Sequence, residues 1–431
     1  MNHVRAVDLG PPKGRTLVST RIIRPEDIIF SERPLVCCQF SWNRFYGYLA
    51  CDYCLRPLET AEANARRLLS KPDFCLPRFE DAPFSSPLET IVACQNCTVQ
   101  YCCDACRSSS AAEYHSFLCP ALCPDPANNA FTRLDEEWRN SQHPPETGTV
   151  MLLVRMAAAH FSAHFKKDPQ AMRIVQALGR FVSSLAVEAA SSTVPNSSTT
   201  LVHKLLCPNF SGSLSCLHAC FLEALKEMAR RVGYEGPSFT EALQEAGLQA
   251  MLSEAGFCSA MCLIGRNGQG IGTTPLGLWG TVCEARAIAQ GGEAAEKFES
   301  FLDSLYEQLD QTVGDFLDNE GVGLYEHQSL LNHSCEPNTY VRFESGTSEL
   351  QIVAKEEIPP DIELTISYLD GWMLSRGRHS RQKWLSEHYL FLCECPRCVS
   401  EKQEYPESAT SSEESNGEED DADDEEEPMS S

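Results

Sequence analysis

The stretch that decides the fold is GVGLYEHQSLLNHSCEPN, at positions 321–338 of a 431-residue chain. Its last seven residues, from Asn332 to Asn338, place an amide, an imidazole, a hydroxyl and a thiol side by side before a proline. Further along, apolar residues alternate with polar ones, which predicts half-buried strands. The alternating residues are Ile352 and Ala354, then Ile362, Leu364, Ile366 and Tyr368.

A cysteine cluster follows these strands, with the spacing Cys393-x-Cys395-x2-Cys398. Three thiolates leave one position of a tetrahedral zinc ion open. The fourth ligand could be solvent, as in catalytic zinc, or a distant cysteine such as Cys335. The spacing alone leaves both alternatives open, together with three unrelated cysteines at the end of a folded region.

A second group of metal-binding residues lies in the first third of the chain. Two ligands separated by two or three residues can chelate one ion from a tight turn, so four such pairs in series predict two tetrahedral zinc sites. The alternative is that some of these cysteines are buried free thiols. The pairs are Cys51 and Cys54, Cys94 and Cys97, Cys102 and Cys106, and His115 and Cys119.

Length and composition limit the function classes. With 42% hydrophobic and 22% charged residues, most of the chain is predicted to be globular, in two or three modules. We expect no membrane span and no signal peptide, so 22 cysteines indicate thiolate metal sites rather than disulfides. Residues 401–431 carry fourteen acids and one base, half of the net charge of −26. Direct nucleic-acid binding is therefore not expected.

Local patterns predict strands near the start, helices in the middle and strands again after residue 320. Residues 51–119 lack long apolar periodicity, as expected of a module held by metal, and residues 120–147 are rich in Pro and Asn, which predicts a linker. A Gly-rich turn is expected at 265–272 and a Ser/Thr-rich loop at 191–200. The predicted early strands are 15–19 and 28–30, and the predicted helices are 150–167, 217–232, 294–318 and 376–387.

The four ligand pairs resemble the MYND zinc finger. The resemblance implies an interleaved arrangement, in which the first and third pairs hold one zinc ion and the second and fourth pairs hold the other. The gap between Cys54 and Cys94 is longer than is usual for this finger and contains a further cysteine, Cys75. Cys103, between two ligands, is expected to be a spectator.

The sequence Asn332-His333-Ser334-Cys335-x-Pro337-Asn338 resembles the signature of SET-domain lysine methyltransferases, and 321–338 as a whole resembles the SET-and-MYND family. In that family the cysteine of the signature completes a structural post-SET zinc site, which implies three zinc ions in all. The strand ending at Tyr368 resembles the segment whose tyrosine closes the lysine channel. Tyr368 is therefore the expected catalytic residue.

The same resemblance implies S-adenosylmethionine as cofactor. Asn332 and main-chain groups of His333 are expected to hold its amino-acid end, Tyr368 to line the site and Phe391 to pack on the adenine. Lys13-Gly14-Arg15-Thr16-Leu17-Val18 resembles the family's turn around the cofactor, but Thr16 replaces the usual second glycine and Val18 the usual phenylalanine. Asn267, in a Gly-rich segment, is a further expected contact, and a phosphate loop is the weaker reading because no Gly-Lys-Ser/Thr follows.

The resemblance implies an α+β fold, a SET β-fold threaded as a pseudoknot and split by the zinc finger and helical inserts. It covers about residues 12–398. The expected boundaries are 12–50 for the N-terminal part of the SET domain, 51–119 for the finger with its insertion, 120–255 for a linker and helical insert, 256–370 for the SET core, 371–398 for the post-SET segment and 399–431 for a disordered acidic tail.

Within the family the chain most resembles the divergent fifth member, which lacks a long C-terminal helical-repeat domain and ends in an acidic tail. The implied function is lysine methylation of basic proteins, either histone tails or ribosomal proteins, in the cytoplasm and nucleus. The finger is expected to bind a proline-rich peptide. The alternative is a non-catalytic adaptor that recruits partners through its finger, and Thr16 is the feature that favours it.

Overall fold

The computed structural model describes residues 3–11, 13–79, 82–86, 90–123, 125, 128–141, 146, 148–181, 210–234, 238–314 and 318–404. The chain divides into two compact units. The larger unit contains 1–332 and 338–366, and the smaller contains 333–337 and 367–431. Helices and antiparallel strands alternate irregularly along the chain, so the fold is α+β as expected.

The strands are β1 (Val4–Asp8), β2 (Arg15–Ser19), β3 (Ile28–Glu32), β4 (Val36–Gln39), β5 (Val92–Ala93), β6 (Gln100–Tyr101), β7 (Gly268–Thr273), β8 (Asn319–Leu324), β9 (Asn332–His333), β10 (Thr339–Arg342), β11 (Leu350–Ala354) and β12 (Thr365–Ile366). The helices are α1 (Ser41–Phe45), α2 (Ala61–Leu68), α3 (Asp104–Ser110), α4 (Ser116–Leu118), α5 (Ala130–Ser141), α6 (Val150–Phe165), α7 (Pro169–Leu178), α8 (Phe210–Arg231), α9 (Phe239–Glu245), α10 (Glu254–Asn267), α11 (Pro275–Gln290), α12 (Gly292–Val313), α13 (Gly371–Ser375), α14 (Arg378–Tyr389) and α15 (Pro396–Glu404). Among the helices of the described residues, none combines the length and the apolar character needed to cross a bilayer.

Strand β8, the start of the stretch 321–338, is the centre of an antiparallel sheet with the order β4-β8-β7. Gly321 pairs with Gln39 on one side and with Ile271 on the other. A Cβ atom at Gly321 would lie 2.4 Å from the backbone oxygen of Cys38, which is closer than atoms can approach. Glycine at this position therefore allows the neighbouring strand to come into hydrogen-bonding range.

The helical insert begins earlier than expected, because residues 130–141 form helix α5 and not a linker. Phe131, Leu134 and Trp138 are buried and lie on one face of α5, at helical spacing. They pack in the same core as α6, which is buried along most of its length. The prolines and asparagines that suggest a linker lie mainly outside the helix, and the apolar period inside it outweighs that composition.

The insertion between the first two ligand pairs also has a structure that the sequence reading missed. Its helix α2 places Ala61, Ala65 and Leu68 in a hydrophobic core that also contains Trp279 of α11 and Phe298 of α12. The insertion is therefore held by apolar packing as well as by the metal ligands around it. This packing places the described helix of the insertion against α11 and α12.

Two other predictions differ from the structure. The Gly-rich segment 265–272 is not a turn, because it contains the end of α10 and most of strand β7. The helix predicted at 294–318 spans 292–313 and ends at Gly314, whose φ of 54° breaks the helical backbone. Residues 315–317, the loop at 191–200 and residues 405–431 of the acidic tail lie outside the described residues.

A buried ion pair connects strand β4, the segment after Cys51 and the turn before His115 to helix α6 within the larger unit. Arg155 of α6 is 5% exposed. Its Nη1 donates to the backbone oxygens of Cys37 and Asp52, at 2.7 and 2.8 Å, and to the hydroxyl of Tyr114 at 3.0 Å. Its Nη2 donates to Oδ1 of Asp52 at 2.7 Å. Burial alone would raise the pKa of Asp52, but the Arg155 guanidinium holds it below its usual value.

We expect Arg155→Met to lower the free energy of unfolding by about 3–5 kcal/mol, because the Asp52 carboxylate would remain buried without its counter-charge. Urea unfolding of the zinc-loaded protein measures the change. Arg173→Met, at an exposed position of α7, is the matched control and should leave the midpoint nearly unchanged. An Arg155→Met midpoint equal to that of the wild type would show that the pair does not support the fold.

Candidate functional site

The eight finger ligands form two groups of four, and within each group the ligand atoms lie within 4.8 Å of one another. The first group consists of Cys51, Cys54, Cys102 and Cys106, and the second of Cys94, Cys97, His115 and Cys119. These are the interleaved sets that the resemblance implies. Cys75, which is exposed in the insertion, and Cys103 belong to neither group.

The distances within the two groups fit zinc. Zinc–sulphur bonds of about 2.3 Å in a tetrahedron place neighbouring sulphur atoms about 3.8 Å apart. The Sγ atoms of Cys54 and Cys102 are 3.6 Å apart, and those of Cys94 and Cys119 are 4.0 Å apart. His115 lies in a π-helical turn between α3 and α4, and burial lowers its pKa, which favours the neutral imidazole that binds metal. Each group could therefore hold one zinc ion.

A third group lies in the smaller unit and consists of Cys335, Cys393, Cys395 and Cys398. The structure thus brings the cysteine of the 332–338 segment to the three-cysteine cluster, and the Sγ atoms of Cys335 and Cys398 are 3.5 Å apart. Hydrogen bonding with Cys393 and the other crowded sulphurs raises the pKa of Cys335 far above its ordinary value. Four thiolates therefore share this space only with a cation, and the all-sulphur set fits structural zinc.

Arg381 is a residue of this site that the sequence reading missed. Its side chain, on helix α14, is fully buried, with Nε 3.3 Å from Sγ of Cys335 and Nη2 3.7 Å from Sγ of Cys398. Nη2 also donates to Glu401 at 2.7 Å. A zinc ion with four thiolates carries a net charge of −2, so the guanidinium compensates part of it. The basic character of 376–387 gave no indication which cation faces inward.

His333 connects this metal group to the expected catalytic residue. Its Nδ1 accepts the backbone N–H of Tyr368 at 3.0 Å, and its Nε2 lies 3.4 Å from Sγ of Cys335. A backbone N–H can only donate, so Nδ1 must be the acceptor and the ring proton lies on Nε2, toward the sulphur. Burial lowers the pKa of His333 to about 4, which keeps the ring neutral. The side chain of His333 therefore has a role beside the main-chain role predicted for it.

Tyr368 lies in an aromatic cluster of the smaller unit. Its ring centroid is 5.4 Å from that of His333, 4.8 Å from that of Tyr389 and 6.3 Å from that of Phe391. Phe391 also lies 6.0 Å from His333. The structure thus brings three predicted residues together and adds Tyr389, which no sequence motif marked.

The N-terminal turn forms a polar group with Asn332 in the larger unit. Gly14 has a φ of 64°, a conformation that glycine adopts without strain. Lys13 Nζ donates to Oε2 of Glu363 at 2.5 Å, and Nδ2 of Asn332 donates to Oε1 of the same carboxylate at 2.9 Å. Thr16 lies in β2 and its φ is not positive. The backbone therefore makes no demand at Thr16 that threonine cannot meet.

The side chain of Asn267 is engaged within its own helix. It is the last residue of α10, and its Nδ2 donates to the backbone oxygen of Leu263 at 2.8 Å. The structure therefore gives this amide a helix-terminal role, and its predicted contact with a cofactor remains a prediction.

Comparison with known proteins places these features in a family context. A family model described as the SET domain matches residues 14–369. The Homo sapiens protein named protein-lysine N-trimethyltransferase SMYD5 is 39% identical over 392 residues, which cover 91% of this chain and 85% of the relative. The SMYD5 protein of Danio rerio is 38% identical, over 91% of this chain and 86% of the relative. The Mus musculus histone-lysine N-methyltransferase SMYD3 is 44% identical over 84 residues, 20% of this chain and 18% of the relative.

We expect the zinc-loaded chain to contain three zinc ions, and Arg381→Leu to weaken zinc retention at the third site by about 10- to 100-fold. The third ion should then be released to a chelator before the other two, which metal analysis of the dialysed protein measures. Lys383→Leu removes a cation from an exposed position of the same helix and serves as the control. Equal release from both variants would show that Arg381 does not stabilise the thiolates.

Proposed function

The chain belongs to the SET-domain family and, within it, to the SMYD protein-lysine N-methyltransferases, and from this premise we propose that it methylates lysines of basic proteins with S-adenosylmethionine as methyl donor. The observation that carries the proposal is the chain of contacts from Cys335 through His333 to Tyr368. It holds a tyrosine in a half-buried aromatic environment with its backbone fixed.

The residues around Tyr368 suit methyl transfer to an amine. The cofactor, when bound, supplies a sulfonium methyl group that is already activated. The protein then has to hold a neutral lysine amine in line with that methyl. The rings of Tyr368, Tyr389 and Phe391 can exclude water from a bound amine, and the Tyr368 hydroxyl can stabilise partial positive charge on the methyl.

The residues of the larger unit suit the amino-acid end of the cofactor. Lys13 offers a cation for its carboxylate, and Asn332 offers an amide oxygen for its ammonium. Gly14 leaves the backbone of the turn open to close approach, since a Cβ there would meet no atom within 4 Å. The zinc ions are structural in this proposal, because each group of four ligands is complete.

The proposed substrates are lysine-rich proteins, either histone tails or ribosomal proteins, in the nucleus and cytoplasm. A net charge of −26, half of it in the last 31 residues, favours encounter with basic partners. The SMYD5 relatives are named trimethyltransferases, and we propose trimethyllysine as the end product. A proline-rich peptide is the proposed ligand of the finger.

The feature that favoured the adaptor was threonine in place of glycine at position 16. Thr16 lies in strand β2, where threonine is not strained, so this feature no longer favours the adaptor. Calorimetry with S-adenosylmethionine distinguishes the two functions. A methyltransferase binds the cofactor at tens of micromolar or better. Absence of binding in that range, in protein that contains its zinc, would favour the adaptor.

We expect Tyr368→Phe to lower kcat by about 100-fold and to leave the Kd for S-adenosylmethionine nearly unchanged, because the hydroxyl acts on charge that develops in the transition state. Single-turnover methylation and calorimetry provide the two numbers, and mass spectrometry shows whether the number of methyl groups per lysine changes. Tyr340→Phe, which removes an exposed hydroxyl bonded to Glu26, is the control. Wild-type rate and product in Tyr368→Phe would exclude the channel role.

We expect deletion of 405–431, which removes twelve of the fourteen acids of the tail, to raise KM for a basic protein substrate at low salt. The difference should shrink at 1 M salt, where the Debye length is about 3 Å, and kcat should not change. A short uncharged peptide with one lysine is the control substrate. Identical KM values for both enzymes on the basic protein at low salt would leave the tail a solubilising role only.

A further inference from the structure

We propose that Glu363 is a positioning residue for the amino-acid end of the cofactor, an inference that rests on the proposed function. Its carboxylate lies between Lys13 and Asn332, with one oxygen on each. No motif in the sequence marked Glu363, which looks like one more polar residue in the alternating stretch 362–368. The structure makes it the residue that sets the orientation of both neighbours.

Glu363 sets the orientation of the Asn332 amide. A carboxylate can only accept hydrogen bonds, so the group that faces Oε1 of Glu363 must be the NH2 group and not the oxygen. The second hydrogen of that NH2 group points to the backbone oxygen of Lys13, at 3.3 Å. Both hydrogens are thereby used, and Oδ1 is turned away from Glu363 as an acceptor. An acceptor at this point suits a ligand ammonium.

Glu363 also holds the ammonium of Lys13 in an ion pair. Its ammonium has three donors, of which the ion pair with Glu363 uses one. The Lys13 side chain is 57% exposed and that of Glu363 is 17% exposed, so the pair is anchored at the carboxylate and open at the ammonium. The remaining donors of Lys13 suit a ligand carboxylate. The Asn332 oxygen and the Lys13 ammonium are together complementary to a zwitterion, which carries both an ammonium and a carboxylate.

The backbone of Glu363 is itself held by neighbouring segments. Its backbone forms a bridge with Val18 of β2, and its backbone oxygen accepts from Nδ2 of Asn338 at 2.8 Å. Asn338 also accepts the backbone N–H of Thr365 through Oδ1, at 2.9 Å. The main chain on both sides of Glu363 is therefore fixed, so its side chain starts from a fixed point between Lys13 and Asn332.

Electrostatics agree with this geometry. Burial alone would raise the pKa of Glu363, but the hydrogen bonds from Lys13 and Asn332 hold it below the usual value. The group is therefore an anion at neutral pH. A glutamine of the same shape could turn either face of its amide toward Asn332, and it would leave Lys13 without a counter-ion.

The test compares two ligands that differ at the amino-acid end. S-adenosylhomocysteine carries the zwitterion, whereas 5′-methylthioadenosine keeps the nucleoside and lacks it. We expect Glu363→Gln to raise the Kd of S-adenosylhomocysteine by about 10- to 100-fold and to leave that of 5′-methylthioadenosine within twofold of the wild-type value. Calorimetry on the full, zinc-loaded chain measures both.

Two further variants keep the test sharp. Glu357→Gln changes an exposed carboxylate of the preceding loop and should bind both ligands as the wild type does. Lys13→Met, at an exposed side chain, should reproduce the selective loss even if Glu363→Gln folds poorly. Equal weakening of both ligands by Glu363→Gln, or no weakening of either, would overturn the inference. Wild-type protein that binds neither ligand would overturn the proposed function, and the inference with it.

Discussion

The fold depends on one buried charge. Burying the Arg155 guanidinium is unfavourable unless its hydrogen bonds are made, and they are made by groups from separate segments: a strand of the SET core, the loop after the first finger ligand and the helical turn before His115. These segments also share the hydrophobic core around α6, which contains Cys38 and Tyr114 and against which Tyr53 packs. The guanidinium is therefore a geometric constraint that fixes where the finger meets the SET strands, and the metal ligands are arranged around that fixed point.

In the smaller unit, a group of four cysteines that could hold metal is the corresponding constraint. Its apolar core is small, and much of it consists of cysteines and aromatic rings. Structural zinc contributes folding energy directly, and Arg381 reduces the electrostatic cost of four thiolates. Through His333 the same metal site holds the backbone of Tyr368. In this unit, the contacts that stabilise the fold therefore also position the residue expected to act in catalysis.

The three groups of possible metal ligands and the strands β2, β3 and β11 were predictable from the sequence, because they depend on spacing. The alternating stretch 362–368, predicted as a strand, contains only the two-residue strand β12. The expected linker at 120–147 was wrong in its centre, since composition averaged over the segment concealed the apolar spacing of Phe131, Leu134 and Trp138. Arg381, Glu363 and Tyr389 could not be predicted, since their roles come from neighbours distant in the chain. A single charged or aromatic residue forms no repeating pattern in the sequence. Its role becomes visible only when the folded chain shows which groups lie next to it.

The contact between His333 and Cys335 makes the backbone position of Tyr368 dependent on the four thiols of the third group. Loss of any one of these four thiols would remove a ligand from the zinc ion that the group could hold. Cys335 would then lose its fixed position, His333 its partner and the Tyr368 backbone its acceptor. The position of Tyr368 is thus tied to sulphur atoms that its own side chain does not contact, through a single imidazole ring.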